Sequence, residues 1–228
     1  MKGVRIIWNN PGRGQAFACF VAGESLVKRL AHACEKRCFL MARASLLDIF
    51  LENVEAYGDK VAAQVKRAGK YEDVTWGEMG VRAERISRGL IALGVKPGDR
   101  VCIICNTRLE WVSCDMGILG AGAVTVPIYQ SNLPDECHFI VDDSGAVAVF
   151  AEDEIQVQKF LDERSRLGAV IKVIQIDGEP VEDDWVMSLE DLERSAENGS
   201  ETLSSRRQTL TKESVLTIIY TSGTTGRP

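Results

Sequence analysis

The chain has 228 residues, 45% of them hydrophobic and 26% charged, with a formal net charge of −6, a composition that excludes both an intrinsically disordered chain and a disulfide-stapled miniprotein. The charge is uneven: residues 1–40 carry seven Lys and Arg against Glu24 and Glu35, so the body that follows is acidic. With no basic stripe to meet phosphates, nucleic-acid binding is set aside, and the longest apolar run, residues 117–128, is too short to span a bilayer.

The basic leader offers little chemistry. Residues 16–22 have the flavour of a signal-peptide core, yet the run is short and Glu24 follows at once, so it is not read as one. His32, Cys34 and Cys38 resemble a metal or redox spacing but have no second pair downstream. An odd total of seven cysteines points to a reduced, cytoplasmic setting. Cys102 and Cys105, inside an apolar run, read as small core residues.

From residue 43 onward, helix and strand signals alternate. Leu46, Leu47, Phe50, Leu51 and Val54 recur at helical spacing until Gly58 and Asp59; residues 61–65 and 71–74 then read as short strands. Thr75 and Glu78 form a capping-box signature for a helix that turns Met79, Ile86, Leu90 and Leu93 inward and stops at Gly94. After a turn at Lys96, Pro97, Gly98 and Asp99 come a buried strand (100–105), a helix (109–121) and a strand (123–127) ended by Pro127. The series continues with a helix at 134–142, strand 146–151, helix 155–167 and strand 170–176, then a short helix capped by Ser188. Residues 197–211 read as an exposed connection, and 215–220 as an apolar strand. Strands alternating with helices of about 10–15 residues imply an α/β architecture, a mostly parallel sheet flanked by helices on both faces.

That final strand runs straight into Thr221, Ser222, Gly223, Thr224, Thr225 and Gly226. Glycines allow positive φ and close backbone approach, while four small hydroxyls and the loop amides supply donors without bulk, the chemistry of a phosphate cradle. Only two residues separate the glycines and no Gly-Lys-Ser/Thr follows, so this is not a Walker A loop. On spacing alone, a Ser/Thr/Gly-rich exposed turn is an equal reading.

The run Tyr220-Thr221-Ser222-Gly223-Thr224-Thr225-Gly226-Arg227-Pro228 resembles the signature loop of the AMP-forming acyl-CoA synthetases, members of the adenylate-forming superfamily. Residues 94–101 and 117–127 resemble that family's upstream strand-turn and glycine-rich helix-strand segments, and the likeness covers about residues 43–228. Asn106, Arg108, Glu110 and Trp111, with Tyr129, Gln130 and Asn132, look most like the long-chain fatty-acid CoA ligases. Trp111 and Tyr129 are nonetheless expected to be packing aromatics, Arg108 and Glu110 a structural ion pair, and His138 an ordinary helix residue.

The resemblance implies the N-terminal part of the large domain of such an enzyme, incomplete. It implies a two-step ligation: a fatty acid attacks the α-phosphate of Mg2+-bound ATP, giving an acyl-adenylate and pyrophosphate, and coenzyme A then displaces AMP. In that scheme residues 221–226 hold the β- and γ-phosphates; no catalytic residue and no metal ligand is assigned. The nearest alternatives are a fatty-acyl-AMP ligase or another carboxylate adenylator, and from a different class a non-catalytic remnant that binds a nucleotide or partner.

The family's motif continues with Lys and Gly beyond Pro228. Residues 41–228 are therefore expected to be the N-terminal portion of the adenylation domain cut inside its phosphate loop, and inactive alone. Residues 1–40 resemble nothing in the family. Three readings of them stay open: an upstream start the cell does not use, a genuine basic leader, or an arm lying peripherally on anionic membrane.

Overall fold

The computed structural model describes residues 4–6, 45–195, 206, 208, 210–211 and 213–221. Helix α1 (Leu46–Tyr57) begins at Ser45, whose hydroxyl accepts from the Asp48 amide at 3.2 Å while the Asp48 carboxylate accepts from the Ser45 amide at 2.8 Å. This reciprocal cap satisfies two amides that a helix start leaves without partners. Strands β2 (Val61–Arg67) and β3 (Lys70–Thr75) form an antiparallel hairpin, longer than the sequence pattern implies. Its turn requires positive φ at Ala68 (47°) and Gly69 (85°), the twist that lets two strands reverse in two residues. Strand β1 (Val4–Ile6) pairs antiparallel with the other edge of β2. The architecture is therefore α/β with one small antiparallel sheet beside the parallel one.

The expected capping box at Thr75 and Glu78 opens α2 (Trp76–Ala92), with the Thr75 amide 2.8 Å from the Glu78 carboxylate. The chain leaves through Gly94 at φ 95°. The parallel units follow: β4 (Arg100–Ile104), α3 (Leu109–Gly120), β5 (Val124–Ile128), α4 (Pro134–Ser144) and β6 (Ala146–Ala151). They continue through α5 (Glu154–Asp162), β7 (Lys172–Gln175), β8 (Val186–Ser188) and α6 (Leu189–Arg194). Strand order is β5-β4-β6-β7-β8, all parallel.

Alternate residues of the central strands feed the two sides. Val101, Ile103, Phe150 and Ile174 pack under α2, α3 and α6, whereas Cys102, Ile104, Val149 and Val173 pack with Ile140 of α4 and Phe160 of α5. Both faces are thus covered, which is why these strands read as continuous apolar runs. Helices α2 and α3 meet along a seam of small residues: a Cβ on Gly117 would collide with Ile86, and one on Gly120 with the Ser87 hydroxyl. A third cluster (Leu47, Phe50, Ala63, Met79, Leu109 and Leu119) ties α1 and the hairpin to α2 and α3.

Several expected bounds change. Pro127 lies within β5 rather than ending it, opposite Ile103; β5 is an outer strand of the five, where a missing N–H is tolerated. The helix expected at 155–167 stops at Asp162 and gives way to a 3₁₀ turn, Arg164–Arg166. The strand expected at 170–176 shortens to Lys172–Gln175. Strand β8 was not anticipated, because its three residues run directly into the Ser188 cap of α6.

Candidate functional site

Residues 213–221 lead to the glycine-rich loop along the free edge of β5. Leu216, Ile218 and Tyr220 are half-buried, whereas Val215, Thr217, Ile219 and Thr221 are exposed, the alternation of a strand with one covered face. The expected strand at 215–220 is nevertheless only a single parallel bridge, Thr217 against Thr125. The Thr125 amide donates to the Leu216 carbonyl at 2.9 Å, and the Ile218 amide donates to the Thr125 carbonyl at 3.0 Å. The next donor on that side of β5 belongs to Pro127, which has none, so the ladder stops after one rung.

Side chains take over where the backbone ladder ends. The Tyr220 hydroxyl donates to Asp143 Oδ2 at 2.6 Å, and its ring meets Phe139 edge-on at 6.2 Å and 86°. Burial, then the adjacent Asp143 carboxylate, pushes the Tyr220 phenol up, so it stays a donor at neutral pH. Below the bridge, Thr125 Oγ1 donates to Asp115 Oδ1 at 2.6 Å. Burial raises the Asp115 carboxyl despite that hydrogen bond. Of the six expected phosphate-binding residues, Thr221 sits exposed just past Tyr220; Ser222, Gly223, Thr224, Thr225 and Gly226 lie outside the described residues.

A second cluster occupies the carboxyl ends of β4 and β6. The chain moves from β4 to β5 on one side and then to β6 on the other, so this is the topological switch point where open parallel sheets commonly take ligands. Here the crevice is filled by the protein's own charges. Glu152 accepts from both the backbone and side-chain nitrogens of Asn106, each at 2.7 Å. Arg108 reaches Glu110 at 2.7 Å, Asp177 at 3.1 Å and Glu152 at 3.4 Å. Arg82 joins Glu110 at 3.5 Å and Glu193 at 3.0 Å. Burial raises the Glu110 carboxyl, but the Arg108 hydrogen bond and charge outweigh it and hold Glu110 below the usual range. The expected structural role of Arg108 and Glu110 is what the geometry displays: a bracket between strand ends.

Of the other singled-out residues that the structure describes, the cysteines and Trp111 pack as expected and Tyr129 does not. Cys102, Cys105, Cys114 and Cys137 are buried and unpaired with one another, and burial pushes Cys137 up to about 11 and Cys105 to about 12, far from a reactive thiolate. Trp111 packs against the core below α2 and α3. Tyr129 is the exception: it is 68% exposed rather than packed. His138 is half-buried on α4. His32, Cys34 and Cys38 lie outside the described residues. An apolar cavity of about 210 Å³ opens between α1, β2 and α3, lined by Phe50, Trp76, Met79 and Trp111 with Asp115 at its wall. Among the described residues no group of three or more His, Cys, Asp or Glu could hold a metal ion. Among them, too, no helix is long and apolar enough to cross a membrane.

Asp115, Thr125 and Asp143 were not singled out in the sequence. Two carboxylates, Asp142 and Asp143, in the last turn of α4 were the available signal, because a helix C-terminus disfavours negative charge.

Comparison with known proteins places these features in context. Residues 50–228 match the model of a family described as AMP-binding enzyme. The long-chain-fatty-acid–CoA ligase FadD15 of Mycobacterium bovis is 37% identical over 164 residues, which covers 70% of this chain and 26% of the relative. Surfactin synthase subunit 2 of Bacillus subtilis is 33% identical over 181 residues, 79% of this chain and 4% of that protein. The crystal structure of the anthranilate CoA ligase AuaEII with anthranoyl-AMP superposes with a TM-score of 0.65 at 24% identity, covering 80% of this chain and 33% of that one, a likeness of fold. The chain spans about a quarter of the length of the fatty-acid ligase it matches.

Proposed function

Since the chain belongs to the AMP-binding enzyme family, we propose that it forms the N-terminal portion of an AMP-forming acid–thiol ligase acting on long-chain fatty acids. The observation that carries this reading is the continuous run 220–228, delivered by a segment anchored on the edge of a parallel sheet. The 37% identity to a long-chain-fatty-acid–CoA ligase supports the acyl class.

In this reading residues 221–226 grip the β- and γ-phosphates of ATP through loop amides and the hydroxyls of Thr221, Ser222, Thr224 and Thr225. They orient the α-phosphate for attack by the carboxylate and offset charge on the departing pyrophosphate, a positioning and electrostatic role. Magnesium bound with the nucleotide would neutralise further phosphate charge. Coenzyme A is the co-substrate that accepts the acyl group as a thioester. The structural contribution of residues 45–195 is to hold β5 and α4, and through them the stem of the loop.

A second reading, activation of an amino acid or other carboxylate, has support in the 33% identity to a surfactin synthase subunit. Exchange of radiolabelled pyrophosphate into ATP separates the readings. Exchange driven by long-chain fatty acids is expected, and exchange that responds only to amino acids would overturn the fatty-acid assignment.

A further inference from the structure

The end of α4 carries an electrostatic oddity. Asp142 and Asp143 occupy its final turn, with no basic residue there, where the partial negative charge of the helix terminus repels a carboxylate. A helix selected for stability alone would place Lys or Arg at these positions. The terminus is nonetheless firmly fixed: the Arg100 guanidinium donates to the Ser144 and Gly145 carbonyls, and Gly145 turns the chain at φ 62°. Asp143 is thus presented from a rigid corner, with its carboxylate 2.6 Å from the hydroxyl of Tyr220.

Tyr220 is the last residue before the glycine-rich loop. The backbone ladder that holds its segment ends two residues earlier, at the Ile218 amide, because Pro127 offers no further donor. Between that rung and Thr221 the chain is tied by the Tyr220 side chain, through its hydrogen bond to Asp143 and its edge-on contact with Phe139. Tyr220 also packs, half-buried, on the core beneath α4.

From this juxtaposition we propose that Asp143 is a positioning residue for the stem of the glycine-rich loop: it latches Tyr220 and so fixes where the chain leaves the sheet at Thr221. The inference rests on the phosphate-binding reading above only for its consequence, not for the latch itself. Asp143 acts through Tyr220: a stem held at 218–221 has less freedom left to lose when a ligand binds beyond it. Phe139 assists by blocking lateral swing of the Tyr220 ring.

The test uses the full 228-residue chain and four variants, Asp143→Ala, Asp143→Asn, Tyr220→Phe and Asp142→Asn. Asp143→Asn keeps an acceptor for the phenol, and Asp142→Asn removes one charge from the same helix end without touching the latch. Amide hydrogen exchange over 218–226 is expected to speed up about tenfold in Asp143→Ala and Tyr220→Phe, and to stay near wild type in the two Asn variants. The affinity for magnesium pyrophosphate is expected to fall in the same two variants and to survive in Asp143→Asn. Unchanged exchange in Asp143→Ala, or equal acceleration in Asp142→Asn, overturns the latch. If exchange follows the expected pattern but the wild-type chain does not bind pyrophosphate, the latch stands and the phosphate reading falls. If pyrophosphate binds equally to wild type and Asp143→Ala, the reading stands and the positioning role falls.

Discussion

The central strands and the segment before the glycine-rich loop are made of similar apolar, β-branched residues, yet they end in different states. Phe150 on β6 and Ile103 on β4 have no solvent exposure, because helices cover both faces of their sheet. Val215 and Ile219 are each 60% exposed, and their segment is joined to β5 by one bridge. The difference lies less in propensity than in partners. A strand becomes one when neighbours supply a full ladder and two covers, and 215–221 has a partial ladder, because of Pro127, and one cover.

Mutations that cut the same kind of side chain in the two regions should therefore differ most. Ile103→Ala is expected to cost about 2–5 kcal/mol in denaturant unfolding, while Ile219→Ala changes stability by less than about 0.5 kcal/mol. Comparable losses would erase the distinction. Next in size is Arg108→Ala, which leaves Glu110 and Glu152, at 12% and 14% side-chain exposure, facing each other without their shared cation; a loss of about 3 kcal/mol near neutral pH is expected. The folded state holds Glu110 below its ordinary range, so its contribution is present above the unfolded carboxylate pKa and is lost as pH falls through the folded one. The gap between wild type and Arg108→Ala should accordingly narrow on acidification, and a gap independent of pH would contradict the bracket.

Gly117→Ala tests the seam between α2 and α3. Its Cβ would meet Ile86 inside van der Waals contact, and overpacking of this kind is expected to cost about 1–3 kcal/mol, read as a lower thermal midpoint. The smallest effect is expected at Asp115, where the covered sheet meets the loop stem. Its folded pKa is raised by burial, so the neutral form is favoured; that contribution is complete below the unfolded pKa and disappears as pH rises through the folded one. Asp115→Asn, which cannot ionise and can still accept from Thr125, should gain on wild type as pH is raised from acid to neutral. A difference that shrinks instead would mean the carboxylate is stabilised in place.

Legibility in the sequence followed the same division. The Thr75 cap, the span of β6 and the Ser188 cap were readable because each is set by a local pattern: a hydroxyl and a carboxylate three residues apart, or an unbroken apolar run. The β2–β3 hairpin extends past its pattern because its outer residues, Lys66, Arg67 and Lys70, are polar and add nothing to an apolar alternation. Pro127 was misjudged as a terminator, since whether a missing N–H matters depends on which side of the strand the neighbour lies. The loop could be named from a contiguous motif. Its supports could not: Asp143 and Tyr220 are 77 residues apart, and Thr125 reaches the stem through its backbone, which no side-chain pattern encodes.

If the chain carries the phosphate-gripping part of an adenylating site, as proposed above, its glycine-rich loop binds pyrophosphate. The most direct measurement is calorimetric titration of the 228-residue chain with magnesium pyrophosphate and with AMP, repeated on the Thr224→Ala, Thr225→Ala double variant. Pyrophosphate is expected to bind more tightly than AMP, and the double variant to lose about tenfold or more of that affinity. Equal affinity for the two ligands, or pyrophosphate binding untouched by the double variant, would contradict it.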